Sequence, residues 1–171
     1  KDDSKGTSYL AIRAAQDLMA KANLDPLEID LIIVATATAD MPVAATAAYV
    51  ATQIGATNAF GYDLQAACSS FLFGISTAAA YVQSGRYKKV VLIGADKMSS
   101  IVDYTDRTTC IIFGDGAGAA LFEPNYEGLG VLDEYLRCDG IGRDFLKTPA
   151  GGSLVPTTID TVKDNRQNII Q

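Results

Sequence analysis

The pattern of apolar and polar positions changes period along the chain, and this change predicts alternating helices and strands. Within residues 9–22, apolar side chains recur at helical spacing on one side while Arg13, Asp17 and Lys21 share the other, which is typical of an amphipathic helix. Residues 31–35 instead form a continuous apolar run, typical of a strand covered on both faces. The same criteria predict further elements, which are helices at 44–54 and 71–83 and strands at 58–64, 88–95 and 117–122.

Turn signals separate these elements. Asp25 is placed to cap a short turn with Pro26 at its first position and Glu28 at its third, and Gly55 is placed to end the helix at 44–54. The resulting order, βαβαβ, implies right-handed crossovers and a largely parallel sheet. Because the helix at 71–83 is apolar nearly all round, we expect it to be sandwiched between other elements rather than exposed.

Composition supports a globular α/β protein and excludes some functions. The chain has 171 residues, of which 49% are apolar and 20% charged, enough for one ordinary domain with a core. A net charge of −6 without any run of Lys or Arg argues against a nucleic-acid surface. The apolar runs are too short to span a bilayer, and three widely spaced cysteines suggest neither a disulfide framework nor a metal site. We therefore expect a cytoplasmic protein.

The most informative residue is Cys68, within Gln-Ala-Ala-Cys-Ser-Ser-Phe at 65–71. It falls between a predicted strand and a predicted helix, and the unpaired amides and positive dipole end of a helix favour the reactive thiolate. Such a corner would also expose the side chain to a pocket. Two interpretations stay open, a nucleophile or a plain core cysteine, because small cysteines often pack inside proteins.

The chain contains no histidine. General base catalysis near neutral pH is most often given to histidine, so a chain with a candidate nucleophile lacks the usual partner. The sequence also opens at Lys1 without an initiator methionine, almost directly before a predicted helix. We therefore expect a fragment of a longer protein.

A polar loop at 103–108 precedes the glycine-rich segment FGDGAGAALF at 113–122. The spacing of the glycines in this segment matches neither a Walker A loop nor GxGxxG, so a phosphate-binding loop is the weaker interpretation. We expect these glycines to allow tight turning and close backbone approach, and Asp115 to hold the turn by accepting backbone hydrogen bonds. Cys110, in an apolar run, and Cys138, at an expected strand end, lack the helix-start environment and are expected to be passive.

Three motifs in order carry a resemblance: AACSSF after a strand, TDR in the polar loop, and FGDGAGAAL. With IIVATAT and SGRYKKVVLIGAD, they make residues 8–140 resemble the β-ketoacyl-acyl-carrier-protein synthase III family of the thiolase-like fold. Chalcone synthase and hydroxymethylglutaryl-CoA synthase share the cysteine corner but fit the other two motifs less well. The resemblance implies an α/β fold with a mostly parallel sheet flanked by helices, one half of a duplicated βαβαβαββ architecture. Residues 1–138 would be the N-terminal half, and 139–171 a connector and active-site loop leading to a second half.

The resemblance implies an acyltransferase that joins an acyl-CoA primer to malonyl-acyl carrier protein and so starts fatty-acid synthesis. Cys68 would accept the acyl group as a thioester, with its own amide in an oxyanion hole. The family's His and Asn lie in the second half, so this chain alone is not expected to condense. No metal or other cofactor is implied. The alternative is a non-catalytic module that binds acyl-CoA or carrier protein, or that dimerises.

The resemblance also implies primer-binding residues. Arg107 would contact the CoA nucleotide, with Thr108 beside it, whereas a surface salt bridge is the alternative for Arg107. Phe113, Met98 and Val43 would line the acyl pocket or its gate, although each is also an ordinary core residue. Val43 stands where the family usually has an aromatic residue, which leaves the size of the primer open. Family members form homodimers through first-half strands, and exposed apolar surface predicts that this chain associates.

Overall fold

The computed structural model describes residues 5–170 of the chain. These residues divide into two compact units, each built from separate parts of the sequence. The first unit comprises the residues up to Lys97 together with Gly116–Leu136. The second comprises Met98–Asp115 together with the residues from Arg137 onward.

The first unit contains a four-stranded sheet in the order β2-β1-β3-β4. β1 is parallel to both β2 and β3, and β4 lies antiparallel to β3. The predicted largely parallel sheet is therefore confirmed. The strands are β1 (Leu31–Ala35), β2 (Phe60–Leu64), β3 (Val90–Asp96) and β4 (Gly116–Phe122).

Helices cover both faces of this sheet, as the sequence predicts. Side chains on one face of β1 and β3 pack with the first two helices into one apolar cluster, and those on the other face pack with the third. All five residues of β1 are buried, which explains its uninterrupted apolar run. The helices of this unit are α1 (Thr7–Ala22), α2 (Thr46–Ile54) and α3 (Ser70–Gln83).

Side-chain carboxylates explain why two elements begin later than predicted. Both carboxylate oxygens of Asp63 accept hydrogen bonds from the first two amides of α2, Thr46 at 2.7 Å and Ala47 at 2.8 Å. This contact caps the helix at residue 46 rather than 44. Asp30 likewise accepts the amides of Lys88 and Lys89 at 2.7 and 2.9 Å, so these two amides do not donate to a neighbouring strand and β3 begins at Val90.

Helix α3 is less enclosed than its apolar sequence predicts. Only Ser70, Gly74 and Ala78 are buried, whereas Leu72 on another side is 58% exposed. One face of α3 packs on β1 and β3. The expectation that α3 is sandwiched between other elements is therefore wrong for the described residues. Apolar side chains on its remaining faces, such as Leu72, stay exposed.

The second unit is mostly irregular, as predicted for the tail of the chain. Its regular elements are 3-10 turns at Met98–Ser100 and Gly140–Asp144 and the helix α4 (Ile159–Lys163). Backbone hydrogen bonds tie its two segments together, with the Ile169 amide donating to the Ile101 carbonyl at 2.7 Å. Cys138 lies in irregular backbone, so its expected place at a strand end is wrong.

Candidate active site

Cys68 lies in the turn that connects β2 to α3. β2 ends at Leu64, a 3-10 turn spans Ala67–Ser69, and α3 begins at Ser70. The Cys68 side chain is exposed. The predicted strand-to-helix corner is therefore confirmed, and the alternative of a buried core cysteine is wrong.

The backbone of this corner adopts a rare conformation. Ala67, directly before the cysteine, has φ = 47° in the left-handed region, which is uncommon for a residue with a Cβ. The Ser69 amide donates to the Ala66 carbonyl at 3.1 Å and closes the turn. Strained backbone of this kind collects at functional sites, where surrounding contacts must hold it in place. Here the contact comes from the buried hydroxyl of Ser70, which bonds to the backbone on both sides of the Ala66–Ala67 peptide.

The carboxyl ends of the other two parallel strands, β1 and β3, carry a polar cluster. Asp96 ends β3, and its Oδ1 accepts three hydrogen bonds from the loop after β1: the Ala37 amide at 2.9 Å, the Thr38 hydroxyl at 2.9 Å and the Thr36 hydroxyl at 3.1 Å. The Thr36 amide donates to the Leu64 carbonyl at 3.1 Å. This loop therefore joins the ends of three parallel strands, the edge at which α/β proteins place their ligands.

Val43 lies further along the same connection, in a tight turn. The Ala44 amide donates to the Pro42 carbonyl at 3.0 Å, and Val43 at the apex has φ = 76°. This conformation is rare and strained for a β-branched residue. Its side chain is fully exposed in the first unit. The assignment of Val43 to a primer pocket stays a prediction.

The polar loop of the second unit consists of two successive aspartate-centred turns. Asp103 accepts the hydroxyl and amide of Thr105 at 2.7 and 2.8 Å, and Asp106 accepts those of Thr108 at 2.6 and 2.9 Å. These hydrogen bonds hold the pKa of each carboxyl below its usual value, and the bond from the threonine hydroxyl has the largest effect. The loop is thus shaped by its own side chains.

Arg107 is the central residue of the second turn, between Asp106 and Thr108, and is exposed. Its guanidinium forms no ion pair within residues 5–170, which disfavours the salt-bridge alternative. Thr108 is also exposed, but its hydroxyl is engaged by Asp106. Met98 and Phe113 are each half-buried in the same unit. The binding roles of these four residues stay predictions.

The glycine-rich segment departs from its predicted role. A Cβ added to Gly116 or Gly118 would meet no atom within 4 Å, so close backbone approach does not explain these glycines in the described residues. Asp115 accepts the Ser99 amide at 2.7 Å and the Ser99 hydroxyl at 2.8 Å. The carboxylate therefore has the structural role assigned from the sequence, and it holds the Met98–Ser100 turn.

A cleft of about 430 Å³ lies within the second unit. Arg143, Lys147 and Arg166 contribute cations to its lining, and the Lys147 ammonium pairs with Asp144 at 2.6 Å. This pair and the neighbouring Arg143 hold the pKa of Asp144 below its usual value. None of the site residues predicted from the sequence lines the cleft.

Residues 5–170 contain neither a side-chain cluster suited to a metal ion nor a helix suited to crossing a membrane. No group of three or more His, Cys, Asp or Glu side chains there could hold a metal ion. No helix in that range is long and apolar enough to cross a membrane.

Sequence reasoning missed Ser70 and Asp96. Ser70 carries a hydroxyl at the start of a largely apolar helix, and Asp96 ends a largely buried strand, so both are polar residues at the ends of mainly apolar elements. That position was the available signal. Their hydrogen-bond partners depend on the backbone path, which the sequence pattern does not specify.

The fold and the thiol at its strand end define the chain as thiolase-like. A crystal structure of a 3-oxoacyl-(acyl-carrier-protein) synthase III superposes with a TM-score of 0.88 at 26% identity, covering 98% of this chain and 51% of that one. The β-ketoacyl-acyl-carrier-protein synthase III of Thermus thermophilus gives a TM-score of 0.82 at 37% identity, with 94% and 48% covered. The predicted fold class is confirmed.

Sequence comparison gives the family that the chain resembles. The family described as 3-oxoacyl-[acyl-carrier-protein (ACP)] synthase III matches residues 62–140. Beta-ketoacyl-[acyl-carrier-protein] synthase III 2 of Bacteroides thetaiotaomicron is 51% identical over 169 residues, 99% of this chain and 50% of that protein. The chain is similar to the 3-oxoacyl-[acyl-carrier-protein] synthase III family over nearly all of its own length, and it spans about half the length of the curated relatives that it matches.

Proposed function

We propose that this chain is the nucleophile-bearing part of a condensing enzyme that joins an acyl-CoA primer to malonyl-acyl carrier protein and so initiates fatty-acid synthesis. The observation that carries the proposal is the exposed Cys68 on a strained strand-to-helix corner, in a chain 51% identical to a synthase III. The names of the relatives support the carrier-protein substrate.

The first half-reaction is acyl transfer to Cys68. The Cys68 sulfur attacks the thioester carbonyl of the primer, the bond from the acyl carbon to the CoA sulfur breaks, and free CoA leaves with the thiol proton. The Cys68 backbone amide is the proposed donor to the oxygen that becomes negative in the transition state. The product is an S-acyl cysteine at the exposed corner.

The second half-reaction forms the carbon–carbon bond. Malonyl-acyl carrier protein loses CO₂, and the resulting enolate attacks the acyl carbon, releasing the Cys68 thiolate and a β-ketoacyl carrier protein. The developing enolate needs hydrogen-bond donors, which the family resemblance assigns to a His and an Asn. Because none of the 171 residues is histidine, we propose that this chain alone does not condense.

Primer recognition is assigned to the residues that the resemblance supplies. Arg107 is exposed, and within residues 5–170 it forms no ion pair, so its guanidinium is available for a phosphate of the CoA nucleotide. Thr108 fixes the turn beside it through Asp106. Met98, Phe113 and Val43 are proposed to contact the acyl chain.

We propose a cytoplasmic homodimer, with residues 1–138 as the N-terminal half and 139–171 as the connector. β2 is an edge strand, since it pairs with β1 on one side only within the described residues. An edge strand presents unpaired amides and carbonyls that a second copy can satisfy. The three free cysteines suit a reducing compartment.

Acylation of the intact chain tests the proposal. After incubation with acetyl-CoA, we expect the mass of the chain to rise by one acetyl group, because the nucleophile and its turn are both present. Cys68→Ala should abolish the gain, whereas Cys138→Ala, which removes the other exposed thiol, should keep it. Intact mass spectrometry gives the readout.

The opposite outcome supports the alternative. If no acetyl group is added while the Cys68 thiol still reacts with a general alkylating reagent, acyl transfer needs residues beyond this chain. The chain would then be better described as a binding or dimerisation module.

A further inference from the structure

Ser70 follows the cysteine corner directly and is buried, at 4% exposure. Its hydroxyl oxygen accepts the Ala66 amide at 2.6 Å and donates to the Ala67 carbonyl at 2.7 Å. These two bonds close a ring over the backbone of residues 66–70, and Cys68 is its central residue. We propose that Ser70 is a positioning residue that holds the Cys68 corner in its reactive geometry, an inference that rests on the proposed role of Cys68.

The corner needs such support because its backbone bonds alone are weak. Ala67 is left-handed at φ = 47°, a conformation that an L-residue with a Cβ leaves readily. The turn itself is of the 3-10 type, whose hydrogen-bond geometry is poorer than that of an α-helix. The Ser70 hydroxyl adds two short bonds, one on each side of the peptide that connects Ala66 to Ala67.

The position of this hydroxyl differs from that of an ordinary helix cap. The N-cap of α3 is Ser69, whose side chain makes no capping bond. Ser70 instead points its oxygen back toward the residues before the helix. Thr77, two turns further along α3, shows the usual arrangement, since its hydroxyl donates to the Phe73 carbonyl at 2.8 Å. Thr77 is therefore a matched control for the loss of a hydroxyl from this helix.

Without the hydroxyl, the Ala66 amide must find water instead, and the Ala67 carbonyl keeps only its bond from the Ser70 backbone amide. Both residues are at least partly exposed, so water can reach them and the turn can open without unfolding the helix. Ala67 would then relax to ordinary backbone angles and carry Cys68 away from the start of α3. The expected consequence is a slower thiol rather than a loss of fold.

An isosteric pair of substitutions separates the hydroxyl from the shape of the side chain. Ser70→Thr and Ser70→Val add the same bulk, and only threonine keeps the hydrogen-bonding oxygen. The readout is the rate at which iodoacetamide alkylates Cys68, a step that forms a carbon–sulfur bond, releases iodide and loses the thiol proton to buffer. Peptide mass spectrometry assigns the rate to Cys68 and, as an internal reference, to the exposed Cys138.

We expect Ser70→Val to slow Cys68 alkylation by about tenfold relative to Ser70→Thr, with the Cys138 rate and the Thr77→Val variant unchanged. A second substitution tests the cause. Glycine accepts positive φ freely, so Ala67→Gly combined with Ser70→Val should recover part of the lost rate. If Ser70 only stabilised the helix, adding Ala67→Gly to Ser70→Val would not restore the rate of Cys68 alkylation.

Equal Cys68 rates in Ser70→Thr and Ser70→Val would overturn the proposal, as would a parallel fall at Cys138, which would indicate general loosening. Acetyl-CoA serves as a separate arm. If the unmodified chain takes no acetyl group while its alkylation still depends on the Ser70 hydroxyl, the proposed function fails and the positioning role stands. If the chain is acetylated but Ser70→Thr and Ser70→Val are alkylated at the same rate, the positioning role fails and the proposed function stands.

Discussion

Tyr62 of β2 contacts Tyr81 of α3, and this contact changes how one tyrosine titrates. Burial, and then a hydrogen bond with Tyr81, raise the pKa of Tyr62 to about 12. A tyrosine holds its proton more tightly in the folded state when its pKa lies above the ordinary value of about 10. Its contribution to stability is therefore complete below about pH 10 and is lost as the pH rises toward 12.

We expect the absorbance titration of tyrosinate to show a late step belonging to Tyr62 among the eight tyrosines of the chain. Tyr62→Phe should remove that step. Tyr81→Phe should keep it but move it to lower pH, because the hydrogen bond is lost while the burial remains. Identical titration curves for the unmodified chain and Tyr62→Phe would contradict this assignment.

Single residues also show what the sequence could predict. The place of Cys68 followed from the polar break between two apolar segments, and the corner is where that break predicts it. The role of Ser70 could not be predicted in this way. It depends on the left-handed turn at Ala67, and an alanine gives no signal of such a turn, unlike the glycine or asparagine usually found there.

At the scale of elements, α3 approaches the sheet through a glycine. A Cβ at Gly74 would overlap with Cδ1 of the fully buried Leu92 in β3. Alanine normally favours a helix over glycine by about 1 kcal/mol. Overpacking a buried contact costs about 1 to 3 kcal/mol, which outweighs that gain.

We therefore expect Gly74→Ala to lower the free energy of unfolding by up to about 2 kcal/mol, as measured by urea denaturation. Gly118→Ala is the control in the same unit, because its added Cβ meets no atom within 4 Å. An unchanged urea midpoint for Gly74→Ala would show that Leu92 can move aside.

The bounds of the elements could be predicted best where burial decides them. β1 has the predicted limits, because a strand buried on both faces has an unambiguous apolar run. β2 begins two residues later than predicted. Asn58 belongs to the preceding turn, where its side-chain amide donates to the Leu27 carbonyl at 2.8 Å. The extent to which α3 is buried could not be predicted. An apolar helix sequence indicates only that the helix needs burial, and not which element provides it.

At the scale of the whole molecule, two exposed features of the first unit predict association. Phe60 is 43% exposed on the edge strand β2, and Leu72 is 58% exposed on α3. Both expose apolar surface, and the edge strand also has unpaired backbone groups. We expect sedimentation velocity at micromolar concentration to show a dimer or larger species. A clean monomer would contradict this prediction.

Substitutions distinguish the two surfaces. A charged side chain on an edge strand opposes strand pairing, so Phe60→Lys should shift the dimer toward monomer. Leu72→Lys serves as the comparison, and it should reduce only the larger species. If Leu72→Lys alone abolished the dimer, the β2 edge would not be its interface.

The grouping of the chain into two units could not be predicted from local patterns. It depends on contacts between segments far apart in sequence, such as the backbone bond from Ile169 to Ile101. The division at residues 138 and 139 comes from the family resemblance and stays a prediction. The parallel orientation of the first three strands, in contrast, followed from the βαβαβ alternation alone.

The carboxylate that ends β3 restricts how this protein can be re-engineered. Asp96 receives three hydrogen bonds from residues 36–38, the start of the connection that leads to Val43. Replacing that connection by the corresponding segment of a relative would remove the three hydrogen bonds to Asp96 unless the new segment supplies its own donors. The residue that the relative has at the position of Asp96 therefore has to be exchanged together with the segment.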